Sequence, residues 1–495
     1  MMFTLISGVH DAILGSGRFP LFEARQAGLI LNTLAVSTGA TCIALATGVP
    51  LSVFMDRTDM PGRDLFRIIY LLPVLVPPVI QTVSWTRIAS SLTGVFPIDI
   101  YSVGGCAVIL GMCYFPFVTL MTLSGLRSVD RDIEEVALLW HGGFRVCTRI
   151  TLPVALPHIA SGAILVFMLC AVNFTVPDIL RVRVYPVEIF VQYSAFYNGY
   201  GALLQSLPLV SLLILLLWGM DRMMQGRAFV QAGMGRATGP VYSLGGMRWP
   251  VCCLCASVFV MAVVLPLAEL VRTTGSFHVF RDVVVHSIPE TIYTVMVAFC
   301  GTVLSIATAL PAAYLADRLK NVTAAYAIGV LNMLPLTIPA TAFGLSLVEV
   351  WNQSWLHSVV CGSSVIVILG YAGRFLPYAF AAMASGMKQI SPDAEEVASL
   401  VSPSHARIFK RIVLPLLAPG MFAGFVMVFI LSLGELGTTL LVLPPGRETV
   451  ILKIYNLMHY GAHAQVAALS LFLLLIIGLF FVFALLSYRY IWRGH

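Results

Sequence analysis

From about residue 28 to residue 488 the chain is a succession of apolar runs, most of 20 residues or more, separated by shorter polar segments. A run of that length crosses the hydrocarbon core of a bilayer as a helix. Lipid offers backbone groups no hydrogen-bond partner, so spanning segments must be helices or strands of a closed barrel. The continuous runs here lack the alternation that a barrel needs. An all-α polytopic membrane protein follows. Composition agrees, with 59% of the 495 residues hydrophobic and 11% charged, against about 25% charged in a soluble domain.

Eleven spans are expected, near 28–55, 68–90, 103–126, 158–177 and 204–221, then 249–270, 286–316, 325–350, 358–387, 419–442 and 464–488. The loops 56–67, 127–157, 221–248, 317–324 and 388–418, with the tail after 488, carry 19 Lys and Arg, whereas the opposite side carries eight. The positive-inside rule makes the richer set cytoplasmic. The C-terminus is then cytoplasmic and residues 1–27 lie outside. The net charge of +6 reads as this loop bias, so no nucleic-acid partner is expected.

Internal repetition is strong. At an offset of 261 residues, Thr33, Pro50, Asp56 and Arg57 fall on Thr294, Pro311, Asp317 and Arg318, Pro116 on Pro377, and the run Glu134 to Ala137 on Glu395 to Ala398. An even number of spans separates the two EEVA runs, so both face one compartment and the repeats are parallel. The expected division is a first repeat at 1–220, a Gly-rich cytoplasmic linker at 221–248 and a second repeat at 249–495. Met1 to Gly8 align with Ala262 to Glu269, the tail of the span at 249–270. Most of one helix is therefore expected to be lacking at the start of the first repeat, through a real loss or a start codon placed too late.

Each EEVA run sits in a polar, cation-flanked stretch: SVDRDIEEVALLWHGGFRVCTRITLPVALPHIASG in the first half and QISPDAEEVASLVSPSHARIFKRIVLPLLAPGMFAG in the second. Both read as a short helix with acids in its first turn, where the dipole favours them, then a break, then an amphipathic piece ending at Leu-Pro. These stretches resemble the EAA loop of the permease subunits of binding-protein-dependent ABC importers, E-A-A, three residues, G, nine residues, I-x-L-P. Glu396, Ala398, Ile412, Leu414 and Pro415 match, with Ser402 in place of Gly. In the first half Glu135, Ala137, Leu152 and Pro153 match, with Gly142 as the turn and one residue fewer; Val136 and Val397 replace the first Ala.

The resemblance covers both halves and implies a fused permease of MetI-like fold in the bacterial inner membrane. It further implies two copies of an ATP-binding subunit docked on the two loops, and a periplasmic substrate-binding protein. The chain itself is not expected to be an enzyme. Its only lysines, Lys320, Lys388, Lys410 and Lys453, follow no glycine, so the P-loop sequence is absent. No cofactor and no metal site are expected. The ten cysteines lie mostly in apolar runs, and Cys252, Cys253 and Cys255 read as small hydrophobes, not as zinc ligands.

Ionisable groups inside spans are candidates for a translocation path. Glu435 aligns with Asn173 at an offset of 262, and Arg374 with Cys113 at 261. Arg374 and Glu435 are expected to pair, either beside the substrate or as a structural ion pair. Arg87 reads as an interfacial anchor. Two Tyr-rich segments beyond Leu180 and Leu441 suit an aromatic belt or a docking surface for a binding protein. Their wording and the fused design look most like ferric-iron permeases, with thiamine, phosphonate and polyamine permeases as near alternatives. An ion-coupled secondary transporter would need buried carboxylates in both halves, where only Glu435 qualifies. A membrane enzyme would need a motif such as HExxH, which is absent.

Overall fold

The computed structural model describes residues 24–92, 99–196, 199–224, 242–353, 356–401 and 404–492. These residues are helical almost throughout, and their only β feature is an isolated bridge between Thr58 and Tyr242. The chain divides into two compact units, within Gly8–Val279 and within Phe280–His495.

The first unit contains α1 (Ala24–Arg57), α2 (Pro78–Leu92), α3 (Val103–Arg127), α4 (Arg131–Leu138), α5 (Leu152–Ala171), α6 (Tyr185–Ser194), α7 (Gly199–Met224), α8 (Arg248–Phe259) and α9 (Leu265–Thr274). Helices α1 and α3 form its main interface, and α5 packs on both. Lipid supplies little drive for helices to associate, so small residues let the backbones close in. A Cβ at Gly111 would lie 2.8 Å from Ile43 Cβ. Ser52 Oγ crosses the same seam and donates to Thr119 O at 3.1 Å.

The second unit repeats the plan with α10 (Ile288–Arg318), α11 (Ala340–Trp351), α12 (Val365–Met387), α13 (Pro392–Val401), α14 (Leu414–Leu433), α15 (Val450–His459) and α16 (His463–Trp492). Here α10 and α12 form the seam, with α14 against both. A Cβ at Gly301 would meet Tyr371 Cβ at 2.7 Å.

Among the described residues nine helices are long and apolar enough to cross a membrane, and two further pairs qualify as bent spans. Each of the eleven runs expected from the sequence coincides with one of these. The two bent pairs are the second apolar run of the first half, Arg63–Leu75 with Pro78–Leu92 at 92°, and its counterpart Val322–Thr337 with Ala340–Trp351 at 108°. Proline lacks an N–H and clashes with the preceding turn. Pro73, Pro77 and Pro78 in one break, and Pro335 and Pro339 in the other, stop each helix at a 3₁₀ turn before a new one starts.

The sequence repeat begins its second half at 249, yet the span Gly245–Thr274 packs within the first unit. Helix α9 lies on α2. Gln81 Nε2 donates to Ala262 O at 2.6 Å, and Arg272 Nη2 to Ser91 Oγ at 3.0 Å. The packing boundary thus falls about 30 residues beyond the sequence boundary.

Candidate functional site

Helix α4 carries the first EEVA run. Asp130 caps it, its carboxylate accepting from Asp132 N at 3.0 Å. The helix turns Glu134 wholly inward and leaves Ile133, Val136 and Leu139 exposed. Glu134 meets Arg57, the last residue of α1, at 3.2 Å. Both side chains are buried, at 0% and 2% exposure. Such a pair holds only if further hydrogen bonds offset its desolvation. Arg57 Nη2 also donates to Leu126 O at 2.6 Å. Glu134 Oε1 accepts from Thr151 Oγ1 at 2.6 Å and from the Tyr242 hydroxyl at 2.9 Å. One ion pair therefore fastens α4 to the ends of α1 and α3 and to the π-type turn Cys147–Thr151 that leads into α5.

The second unit builds the same anchor on α13. Arg318, last residue of α10, donates through Nε to Glu395 Oε1 at 2.6 Å and through Nη2 to Ile390 O at 2.9 Å. Tyr314 donates its hydroxyl to Glu395 Oε2 at 2.9 Å. A matching π-type turn, Phe409–Val413, leads into α14.

The motif residues divide between the two faces. Glu135 and Glu396 are exposed, one residue after the buried Glu134 and the half-buried Glu395. Ala137 is half-buried against Val146, Cys147 and Tyr242, and Leu152 joins the same cluster. Gly142 is the exposed N-cap of the turn Gly143–Val146, with an ordinary φ of −66°. Pro153 stands in the first turn of α5, and Leu414 and Pro415 open α14. Ala398 is half-buried on α13, and Ser402 lies outside the described residues. The anchors Glu134, Glu395, Arg57 and Arg318 served in the sequence only to align the repeats. The recurring Asp-Arg and doubled Glu were the signal.

Outward, α4 and the turn after it present Val136, Leu139, Trp140 and Phe144, the last three over 80% exposed; α13 presents Val397 and Leu400. Apolar side chains held out on a short, anchored helix mark an interaction surface. Substituting Leu139 and Trp140 together by Ser is expected to weaken binding of a partner protein at this face at least about tenfold while changing stability by under about 0.5 kcal/mol, as exposed positions do. Pull-down and thermal unfolding of the purified chain check this.

Asn173 and Glu435 occupy one corner of the fold in duplicate. Asn173 Oδ1 accepts from Val176 N at 3.0 Å after α5, and Glu435 Oε1 from Thr438 N at 2.8 Å after α14. Each is half-buried and restarts a short helix, Thr175–Ile179 or Thr439–Val442. Asn173 also donates to the Tyr114 hydroxyl at 3.2 Å. Arg374 does not take Glu435 as the partner expected from sequence. Its Nη1 donates to Pro335 O at 3.1 Å and to Ile338 O. It thereby supplies a donor to Ile338 O at the proline break and a second one to Pro335 O, which also accepts from Ile338 N–H at 3.5 Å.

No group of three or more His, Cys, Asp or Glu side chains among the described residues could hold a metal. His459 and His463 are four apart in sequence, but Gly461 with φ of 72° separates α15 from α16 between them.

Residues 48–183 and 301–494, about two thirds of the chain, match the family described as binding-protein-dependent transport system inner membrane component. An Fe(3+)-transport system permease protein of Haemophilus influenzae is 24% identical over 473 residues, 93% of this chain and 90% of the relative. A protein of Salmonella typhimurium named for 2-aminoethylphosphonate transport is 31% identical over 180 residues, 36% of this chain and 67% of the relative. A molybdate/tungstate transport system permease protein of Thermococcus kodakarensis is 30% identical over 192 residues, 38% and 74% of the two chains.

Proposed function

Because the chain belongs to the binding-protein-dependent transport system inner membrane components, the multi-pass permeases of ABC importers, we propose that it carries ferric iron from periplasm to cytoplasm, driven by ATP hydrolysis in separate subunits. The observation that carries the mechanism is the duplicated anchor. Glu134 with Arg57, and Glu395 with Arg318, each hold a short helix whose outer face is apolar and exposed. Two such faces suit two ATP-binding subunits per chain. Closure of those subunits would push on α4 and α13, and the two ion pairs would pass the force to the ends of α1 and α10. A loaded periplasmic protein docks on the opposite side. The cation-rich loops support a cytoplasmic placing of both anchors and of the C-terminus.

Iron rests on the relative that spans nearly the whole chain; phosphonate and molybdate or tungstate rest on relatives that match one half. Asn173 and Glu435, at equivalent corners of the two units, and Arg374 are the proposed path residues. Co-purification with neighbouring gene products, native mass spectrometry and a ligand screen of the soluble partner test the assignment. Two ATP-binding subunits and a ferric-ion-binding partner are expected. Uptake by the chain alone under an ion gradient would overturn it.

Glu435→Gln keeps the acceptor for Thr438 N–H, so stability is expected to change by under about 1 kcal/mol. Uptake is expected to fall at least about tenfold. Uptake at the normal rate removes Glu435 from the path.

A further inference from the structure

The chain that follows the connecting segment is drawn onto the first anchor. Tyr242 N–H donates to Arg57 O at 2.7 Å, and its carbonyl accepts from Asp59 N at 3.4 Å, which makes the bridge to Thr58. Asp59 accepts from Leu244 N at 2.9 Å and pairs with Arg248 at the head of α8. The Leu244 N–H first, and Arg248 with it, hold the Asp59 carboxyl below the usual carboxylate range. So fastened, the Tyr242 ring sits at 7% exposure among Val146, Cys147 and Val53 and donates to Glu134. Burial raises its phenol above the ordinary tyrosine value, so it remains a donor at physiological pH.

The second unit obtains the same hydroxyl from within its own span. Tyr314 lies on α10 one turn before Arg318 and donates to Glu395. At the repeat offset Tyr314 falls on Val53, which has no hydroxyl and packs against the cluster holding Tyr242. Each anchoring glutamate thus has one tyrosine donor, but the first half imports its donor from beyond its own spans, 108 residues after the glutamate.

We propose that Tyr242 is a positioning residue for the first EEVA helix, the connection between the repeats supplying the hydroxyl that Tyr314 supplies inside the second repeat. Its effect on transport rests on the docking role given to α4 above; its effect on α4 itself does not. The connection is then a working part of the first docking site, and the two sites respond to different substitutions.

Hydrogen exchange on the purified full chain, comparing Y242F with Y314F, tests the positioning. Loss of a hydrogen bond to a charged group is expected to speed exchange at 131–138 about tenfold in Y242F and leave 392–401 unchanged. Y314F should do the reverse. Unaltered protection of 131–138 in Y242F, or equal loosening of both helices, overturns the proposal. In proteoliposomes with the ATP-binding subunits and binding protein, Y242F should carry about threefold less substrate per ATP hydrolysed with those subunits still bound. A merely structural role would lower the yield of complex and not this ratio, so an unchanged ratio also overturns it. That exchange pattern in the two variants, together with a wild-type chain that binds no ATP-binding subunit, would support the positioning and sink the docking reading alone.

Discussion

Glu134→Ala is expected to destabilise the first unit by about 3–5 kcal/mol and to abolish uptake. The reason is the charge left behind: Arg57 is 2% exposed, and stripping a buried pair of one partner strands the other out of water. Arg57 retains Leu126 O, and Asp56 lies at 3.5 Å, so the helix ends stay together while α4 comes loose. Thr151 and Tyr242 lose their shared acceptor in the same step. Glu134→Gln, which keeps an oxygen for both hydroxyls, should lose about half as much. The double change E134L and R57M should recover only part of the stability, since the apolar pair avoids its own desolvation penalty but takes the nearer cation from buried Asp56, and should leave uptake low because α4 is no longer fastened. Thermal unfolding and uptake in proteoliposomes separate the two effects. An E134A chain of normal stability would show that the ion pair does not hold the helix.

Arg374→Leu is the second large effect, expected to cost about 1–3 kcal/mol, since it withdraws the donor of the Ile338 carbonyl, while the Pro335 carbonyl keeps the Ile338 N–H at 3.5 Å. Those carbonyls, of Pro335 and Ile338, lie at the 108° bend of a span. Lipid cannot replace the lost donor. The expected outcome is a lower unfolding temperature together with loss of uptake. Cys113→Ala, at the aligned position in the first half, is the control and should leave the first break intact, because that thiol makes no bond to the turn Leu72–Leu75. An R374L chain that unfolds like the wild type would return Arg374 to the role of a path residue alone.

Arg374 shows where sequence reasoning stopped. An arginine in an apolar run must find partners, and a carboxylate in another run was the natural candidate. The proline break creates a closer demand, the Ile338 carbonyl and a Pro335 carbonyl held only by a long bond from Ile338 N–H. That demand is invisible along the chain, because whether Pro73 or Pro335 kinks a span slightly or folds it through about a right angle depends on what packs against the break. The motif residues teach the same point from the other side. Glu135 and Glu396 match the family pattern and face outward, while their neighbours Glu134 and Glu395 carry the anchor. A helix of eight or ten residues has two faces, and the letters alone do not say which one meets the bundle.

By itself the sequence determined the class, the eleven apolar runs, the duplication and the family, since transfer of apolar residues into lipid is nearly additive along a chain and a repeat is a property of the string. The tertiary structure decided which glutamate is buried, what Arg374 satisfies, that the span Gly245–Thr274 packs with the first unit, and that Tyr242 stands in for the hydroxyl Val53 lacks. Each of those is a pairing between residues far apart in sequence, and the energy of a buried polar pair depends on the geometry that brings it together.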